Sequence, residues 1–315
     1  MTTLRVLLHV AAQRDYELHS LDFSTACLQG SLHEEIWLRR PPGFTGSFPA
    51  GTQWSLRRPV YGLCQAPREW RNTLRTRLAG FGFAPLTAEP SLFLRTDTAL
   101  PPFYNLVYVD DLVFATIDTE ALALVKSELQ KRQTCTDLGA LRSYLGLQIT
   151  RDRARCTITL IQSHMVHHVL QRFGFRHRQE HWEAAKRVLR YLCNTSRMGL
   201  VLGGRGPLVL TGHADVSWVD DLATQRSSQG YTFSLVSGSV SWRSTRSSSV
   251  LCSNCEAEIY AGAMAAQELR WLTYLLTDLG EQPRSSLALY VDNKAIIALC
   301  QEHRLEHRTK HIALR

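Results

Sequence analysis

Three features are missing from this chain of 315 residues. No apolar run reaches the ~20 residues that a membrane-spanning helix needs, so no membrane partner is expected. There is no internal repeat and no low-complexity tail, which sets aside repeat arrays and long disordered extensions. Ordered cysteine spacing is missing as well. The eight cysteines fall at irregular intervals and read as reduced, intracellular thiols rather than a disulfide framework. Cys252 and Cys255 form one C-x-x-C without a second pair, so a zinc site is not expected. Negative charge is in deficit: 36 Lys and Arg stand against 28 Asp and Glu, a formal net charge of +8. That balance favours a polyanionic partner over an acidic substrate binder. A hydrophobic fraction of 44% is that of a folded globular protein, and the length allows two domains.

What is present starts with "MTTLRVLLHVAAQRD". Arg5 and His9 interrupt its apolar stretch, and Leu4, Leu7, Leu8 and Ala11 fall on one helical face, so a helix is expected rather than a signal peptide. A strand ending near Asp22 follows, then the Pro/Gly-rich loop "PPGFTGSFPAGTQ" and a basic helix, "PREWRNTLRTRLAGFGF", closed by Gly80. In "YNLVYVDDLVFATI" two β-branched, aromatic-rich runs flank Asp110 and Asp111, which places the two acids in a tight connection or at its edge. Adjacent carboxylates repel, and desolvation raises the cost, so a cation or good solvation is needed there. A helix is expected from about Thr119 to Arg132, then a hairpin through "LRSYLGLQITRD" and "CTITLIQ". The basic helix "EHWEAAKRVLRYLCNTSRMG" precedes a Gly-rich break at 203–207.

Beyond that break, "LVLTGHADVSW", "QGYTFSLVSG" and "SVSWRSTRSSSV" read as three successive strands. A helix should run from about Cys255 to Leu279, with Ser253 and Glu256 as a capping box. Its buried face is expected at Ile259, Gly262, Ala266, Leu269, Leu272 and Leu276. "SLALYVDNKAIIALCQ" supplies a fourth strand and a helix, which makes a mixed sheet covered by helices. The second acidic pair, Asp220–Asp221, has polar flanks and reads as a solvated loop. His303, His307 and His311 recur every four residues but alternate with Arg304, Arg308 and Lys310, so a solvated or nucleic-acid-facing segment is expected rather than a metal site. Trp70 and Trp182 sit in basic helices that either track a phosphate backbone or are ordinary amphipathic helices.

Paired aspartates on a hairpin with a third aspartate on a neighbouring strand suit two-metal phosphoryl transfer, which needs hard oxygen ligands. "YVDD", "LDFSTACLQG" and "YGLCQAPREW" together resemble the reverse transcriptase of Ty1/copia-type retrotransposons. "HWEAAKRVLRYL", "GHADVSW", "SSQGY", "SVSWRS", "CEAEIYAG", "LYVDNKAII" and "RTKHI" resemble the ribonuclease H region of the same polyprotein, in the same order. The resemblance implies an α/β (α+β) fold: a reverse-transcriptase palm with partial fingers over 1–175, a shortened thumb and connection over 176–203, and a ribonuclease H-like mixed sheet over 204–315. It implies RNA-directed DNA polymerase with associated ribonuclease H, and two Mg²⁺ or Mn²⁺ ions per active site. The partners would be an RNA template, a DNA primer, an RNA–DNA hybrid and deoxynucleoside triphosphates, at a cytoplasmic (virus-like particle) or nuclear location.

Carried over residue by residue, Asp22 and Asp110 would be the main polymerase metal ligands and Asp111 an accessory one. Gln65 would touch the incoming nucleotide or template base, and Tyr108 would lie beside the primer terminus. Asp215, Glu258 and Asp292 would hold the ribonuclease H metals, with Glu256 left to its cap. Cys27 stands where the family carries a bulky aromatic that excludes ribonucleotides, and a small thiol should weaken that exclusion. The chain is expected to start after the family's basic fingers segment, to have a shortened thumb, and to stop before the last ribonuclease H unit. A catalytically inactive remnant that at most binds nucleic acid is therefore the alternative expectation.

Overall fold

The computed structural model describes residues 1–39, 43, 51–172, 179–221, 224–236, 238–281, 287–293 and 297, with the backbone alone at 179–182 and 184. The histidine-containing segment after 300, the helix expected after Asp292, most of the Pro/Gly-rich loop and the side chain of Trp182 lie outside the described residues. Two compact units are present: residues 16–141, and residues 1–15 together with 142–315. Residues 1–15 and 142–172 cluster with the C-terminal part. No helix among the described residues is long and apolar enough to cross a membrane.

The unit of residues 16–141 is built on β1 (Glu17–Phe23), a 3-10 turn (Ala26–Gln29), the pair β2 (Trp37–Arg39) and β3 (Gln53–Ser55), α2 (Ala66–Ala79), β4 (Phe83–Pro85), β5 (Leu92–Arg95), β6 (Phe103–Tyr108), β7 (Asp111–Thr116), α3 (Thr119–Arg132) and β8 (Cys135–Ala140). Six strands form one sheet in the order β4-β5-β6-β7-β1-β8. Alternation along the strands sends Leu21, Phe23, Phe103, Leu112 and Phe114 into one core with Trp70, Leu74 and Leu78 of α2 and Leu122 and Leu129 of α3. Burying each such side chain contributes roughly 1.5–3 kcal/mol, so this face fixes the register. The helix α3 has the limits expected from sequence. Asp118 caps it by accepting from Ala121 N at 3.0 Å, and Lys131 and Arg132 occupy its last turn. Arg95 bridges Asp118 at 3.1 Å and ties β5 to that cap.

The other unit opens with α1 (Thr2–Gln13). Its further elements are β9 (Ser143–Tyr144), β10 (Leu147–Asp152), β11 (Thr157–Ile161), α4 (Ser163–Arg172), α5 (Gln179–Thr195), β12 (Leu200–Gly203), β13 (Leu210–Asp221), β14 (Arg226–Leu235), β15 (Gly238–Arg246), α6 (Asn254–Asp278) and β16 (Ala288–Tyr290). One sheet runs β12-β11-β10-β9 and another β15-β14-β13-β16, with β16 parallel to β13 and the other pairs antiparallel. The expected mixed sheet is thus present. The helix α1 packs against β11, β12 and β15. It buries Thr3, Leu4 and every residue from Val6 to Ala12, not the single stripe read from its leucines. His9 is wholly buried and accepts from Gly203 N at 2.9 Å through Nδ1. Burial pushes its imidazole down to about 4. Gly203 has φ +92°, and a Cβ there would stand 2.3 Å from the Cys156 carbonyl oxygen, so this approach requires glycine.

Two details differ from the sequence expectation. Asp220 and Asp221 end the strand β13 and are not a loop: Asp221 bonds Arg246 at 2.7 Å across the sheet, and that cation offsets the paired charge. The buried stripe of α6 runs through Ala257, Ala261, Ala265, Leu272, Leu275 and Leu276, while Ala266 is exposed. Small residues every fourth position let the helix lie close to the sheet, and that selects the alanine stripe over the one containing Ile259 and Leu269.

Candidate active sites

The first acidic group follows from a hairpin. Strands β6 and β7 pair Tyr108 with Asp111, which leaves Val109 and Asp110 as a two-residue turn. The neighbouring pairing of β1 with β7 puts Asp22 directly opposite Asp111. Asp22 and Asp111 therefore share one face of the sheet, while Asp110 lies in the turn. Burial, Asp22 and Asp110 together push the Asp111 carboxyl above the usual range. Asp110 is held on two sides: its carbonyl accepts from Phe23 N at 2.8 Å, and its Oδ2 accepts from the Tyr61 hydroxyl at 3.2 Å. Burial and Asp110 raise the Tyr61 phenol in return.

Tyr108 adjoins the aspartate turn, and Cys27 lies close enough to feel the charge of Asp110. Tyr108 closes β6 and is 55% exposed, so its ring is open to a ligand. Gln65 is the residue before α2, and its Nε2 donates to Glu34 Oε2 at 3.0 Å. Cys27 lies in the 3-10 turn and is buried; burial and the charge of Asp110 push its thiol up. Trp70, one of the tryptophans considered for a phosphate backbone, is 1% exposed. Its ring belongs to the core, and its Nε1 donates to Val109 O at 2.5 Å. Tyr61 and Trp70 are the contacts sequence reasoning missed. The only signal for them was their membership of "YGLCQAPREW".

The second acidic group is assembled from distant segments. Asp215 lies within β13, which continues to Asp221. Glu258 is the fifth residue of α6, at the start of its second turn, and Asp292 follows β16 by two residues. One ligand oxygen from each lies within 4.8 Å of the others. The helix α6 is anchored by its cap: Ser253 Oγ accepts from Glu256 N at 3.1 Å, and Glu256 Oε2 accepts from Cys252 N at 2.8 Å. Glu256 thus has the structural task expected of it, and Glu258 faces the acids. Gly230 stands opposite Asp215 in the register of β14.

This group fits a hard divalent cation. Glu258 is 4% exposed, and its Oε2 has no hydrogen-bond partner. Burial, Asp292 and Asp215 push its carboxyl up to about 7. Three converging carboxylates with an orphaned buried oxygen are oxygen donors arranged for a cation. In the hairpin group, Asp22, Asp110 and Asp111 also offer hard oxygens, and the Asp111 carboxyl is raised first by burial and then by the like charges of Asp22 and Asp110.

Residues 1–182 match the family model described as reverse transcriptase (RNA-dependent DNA polymerase). The retrovirus-related Pol polyprotein from transposon TNT 1-94 of Nicotiana tabacum is 28% identical over 100% of this chain and 28% of its own length. The corresponding polyprotein from transposon RE2 of Arabidopsis thaliana is 30% identical over 99% of this chain and 25% of its own. The chain thus spans about a quarter of the length of these curated relatives. A solved foamy viral protease–reverse transcriptase in complex with dsDNA covers 99% of this chain and 67% of its own, at 13% identity and a TM-score of 0.43, a likeness too loose to carry weight. From the family match through the aspartate hairpin and the end-to-end likeness to transposon polyproteins, the chain belongs to the reverse transcriptase family, as part of a Pol polyprotein of the Ty1/copia retrotransposon type.

Proposed function

We propose that the chain performs RNA-directed DNA synthesis at Asp22, Asp110 and Asp111, and ribonuclease H cleavage of an RNA–DNA hybrid at Asp215, Glu258 and Asp292. One observation carries the reading: in a chain of this family, two separate trios of carboxylates are each gathered from segments far apart in sequence. The segments 1–175, 176–203 and 204–315 are kept as functional limits.

Asp22 and Asp110 would hold the polymerase metals, with Asp111 as accessory ligand; Asp215, Glu258 and Asp292 would hold those of the second site. Bound by these carboxylates, two Mg²⁺ or Mn²⁺ ions per site would supply activation of the attacking oxygen and neutralisation of charge on the leaving group. The chain's own residues orient the reactants. Tyr108, exposed at the end of β6, lies beside the primer terminus. Gln65 at the start of α2 reaches the incoming deoxynucleoside triphosphate or the template base. Cys27, small and buried, leaves room at the sugar and so weakens exclusion of ribonucleotides. Positioning of this kind contributes most of the rate in phosphoryl transfer.

The test is extension of a DNA primer on an RNA template and cleavage of hybrid RNA, both with Mg²⁺. Asp110→Asn serves as control for the first and Asp215→Asn for the second. Each activity should vanish with its own variant. A folded protein that does neither, yet binds RNA–DNA hybrid with a steep loss of affinity at higher salt, would instead be the catalytically inactive remnant.

A further inference from the structure

The turn between β6 and β7 has an unusual backbone. Val109 sits at φ +55°. That is the left-handed region, where a β-branched side chain is strained and glycine or asparagine is the ordinary occupant. Strain of this kind persists only where surrounding groups hold it. Packing gives incomplete support here. A cavity of about 210 Å³ opens against the turn, walled by Val107, Tyr108, Val109, Phe93, Leu74 and Trp70, and Val109 itself is 44% exposed. Hydrogen bonds therefore carry the restraint. Phe23 N binds the Asp110 carbonyl from β1, and the Trp70 indole N–H binds the Val109 carbonyl from α2. The indole is itself immobile. It is 1% exposed and meets Phe23 edge-on, with ring centroids 5.1 Å apart.

We infer that Trp70 is a positioning residue for the polymerase site: its indole N–H holds the strained Val109 peptide and thereby sets where Asp110 and Asp111 stand. Trp70 donates its indole N–H to the turn and acts on the aspartates through it. Phe23 lies on both sides of this arrangement, packed on the indole and bonded to the Asp110 carbonyl, so one aromatic pair ties both turn residues to the strand that carries Asp22. The inference rests on the polymerase reading for its kinetic consequence, and on geometry alone for its effect on the turn.

The test separates the two. In the full chain, Trp70→Phe keeps a ring against Phe23 and removes the N–H together with part of the indole volume, and the Val109→Gly rescue separates the lost bond from the lost packing. Without that bond the strained valine relaxes, and kcat for primer extension should fall 10- to 100-fold with nucleotide KM changed less than threefold. Val109→Gly removes the strain, because glycine takes positive φ freely. Adding Val109→Gly to Trp70→Phe should restore at least fivefold of the lost kcat. The amide signal of Tyr108 in ¹⁵N-tyrosine-labelled protein provides a readout that needs no activity. It should shift or split in Trp70→Phe and return to one position in the double variant. If the Tyr108 signal is unmoved by Trp70→Phe, or if Val109→Gly deepens the defect instead of relieving it, Trp70 is a packing residue only and the inference is overturned. A wild-type chain that does not polymerise would defeat the polymerase reading, and the Tyr108 signal would still decide the role of Trp70 in the turn.

Discussion

The two carboxylate trios solve the same electrostatic problem by different means. In the hairpin, two of the three acids are chain neighbours, and strand register brings the third opposite one of them. All three keep some access to solvent, and a phenol and backbone amides hold the turn. In the second trio no two acids are neighbours, and the glutamate is driven into the interior, where its carboxyl rises to about 7. The hairpin is thus a product of local pairing and backbone strain. The second trio exists only when a strand, a capped helix and a parallel strand are all in place. The difference teaches where each site is vulnerable: the first to a change in one turn, the second to anything that shifts α6.

The sharpest way to break this contrast is a crossed pair of variants. Asp110→Asn should lower primer extension by about 10³-fold or more and leave hybrid cleavage within about twofold; Asp215→Asn should do the reverse, given that metal-ligand carboxylates carry several kcal/mol of transition-state stabilisation. Loss of both activities from either change, measured on folded protein, would show that the sites are not separable.

A smaller effect lies in the pH dependence of stability without added metal. Glu258 is raised in the folded chain above its unfolded value, so its contribution is fully present below about pH 4.5 and is lost as pH rises through about 7. Thermal denaturation should show Tm falling by a few degrees across that window. Glu258→Gln should flatten that slope and raise Tm at pH 8, and Mg²⁺ should raise Tm above pH 7 more in the unaltered chain than in Glu258→Gln. An unchanged slope in Glu258→Gln would mean that the trio carries no strain from like charge.

The smallest effects sharpen the contrast through the helix caps. Ser253→Ala and Asp118→Ala should each cost about 1 kcal/mol, read from chemical denaturation. Only Ser253→Ala should weaken hybrid cleavage, because it loosens the helix that bears Glu258; Asp118 caps α3 and loses its bridge to Arg95.

Much of this was legible in the sequence where local rules act alone. The span of α3 was readable as about Thr119 to Arg132, the hairpin followed from two β-branched runs around Asp110 and Asp111, and the task of Glu256 from its spacing to Ser253. What was not legible depends on partners distant in sequence. The nearly all-round burial of α1 comes from strands more than 140 residues away. The extension of β13 past Asp215 needs Arg226 opposite Asp221 and Arg246 beside it. The alanine stripe of α6 is chosen by how close the sheet can come, which hydrophobicity alone ranks below leucine and isoleucine. The strain at Val109 has no sequence signature, since valine is a residue that the left-handed region disfavours.

The bond from Gly203 to His9 has a consequence for how the chain is made. Its two ends are 194 residues apart, and at ordinary synthesis speeds ~10–40 s separate their emergence from the ribosome. For most of that interval the apolar helix α1 has none of the strands that later enclose it. The hairpin unit, drawn from the consecutive residues 16–141, can complete itself meanwhile. For α1 the order of synthesis and the order of assembly are therefore inverted: it is made before the hairpin unit and seated after it, and a chaperone that shields residues 2–13 should raise the yield of folded protein more than one that shields the hairpin.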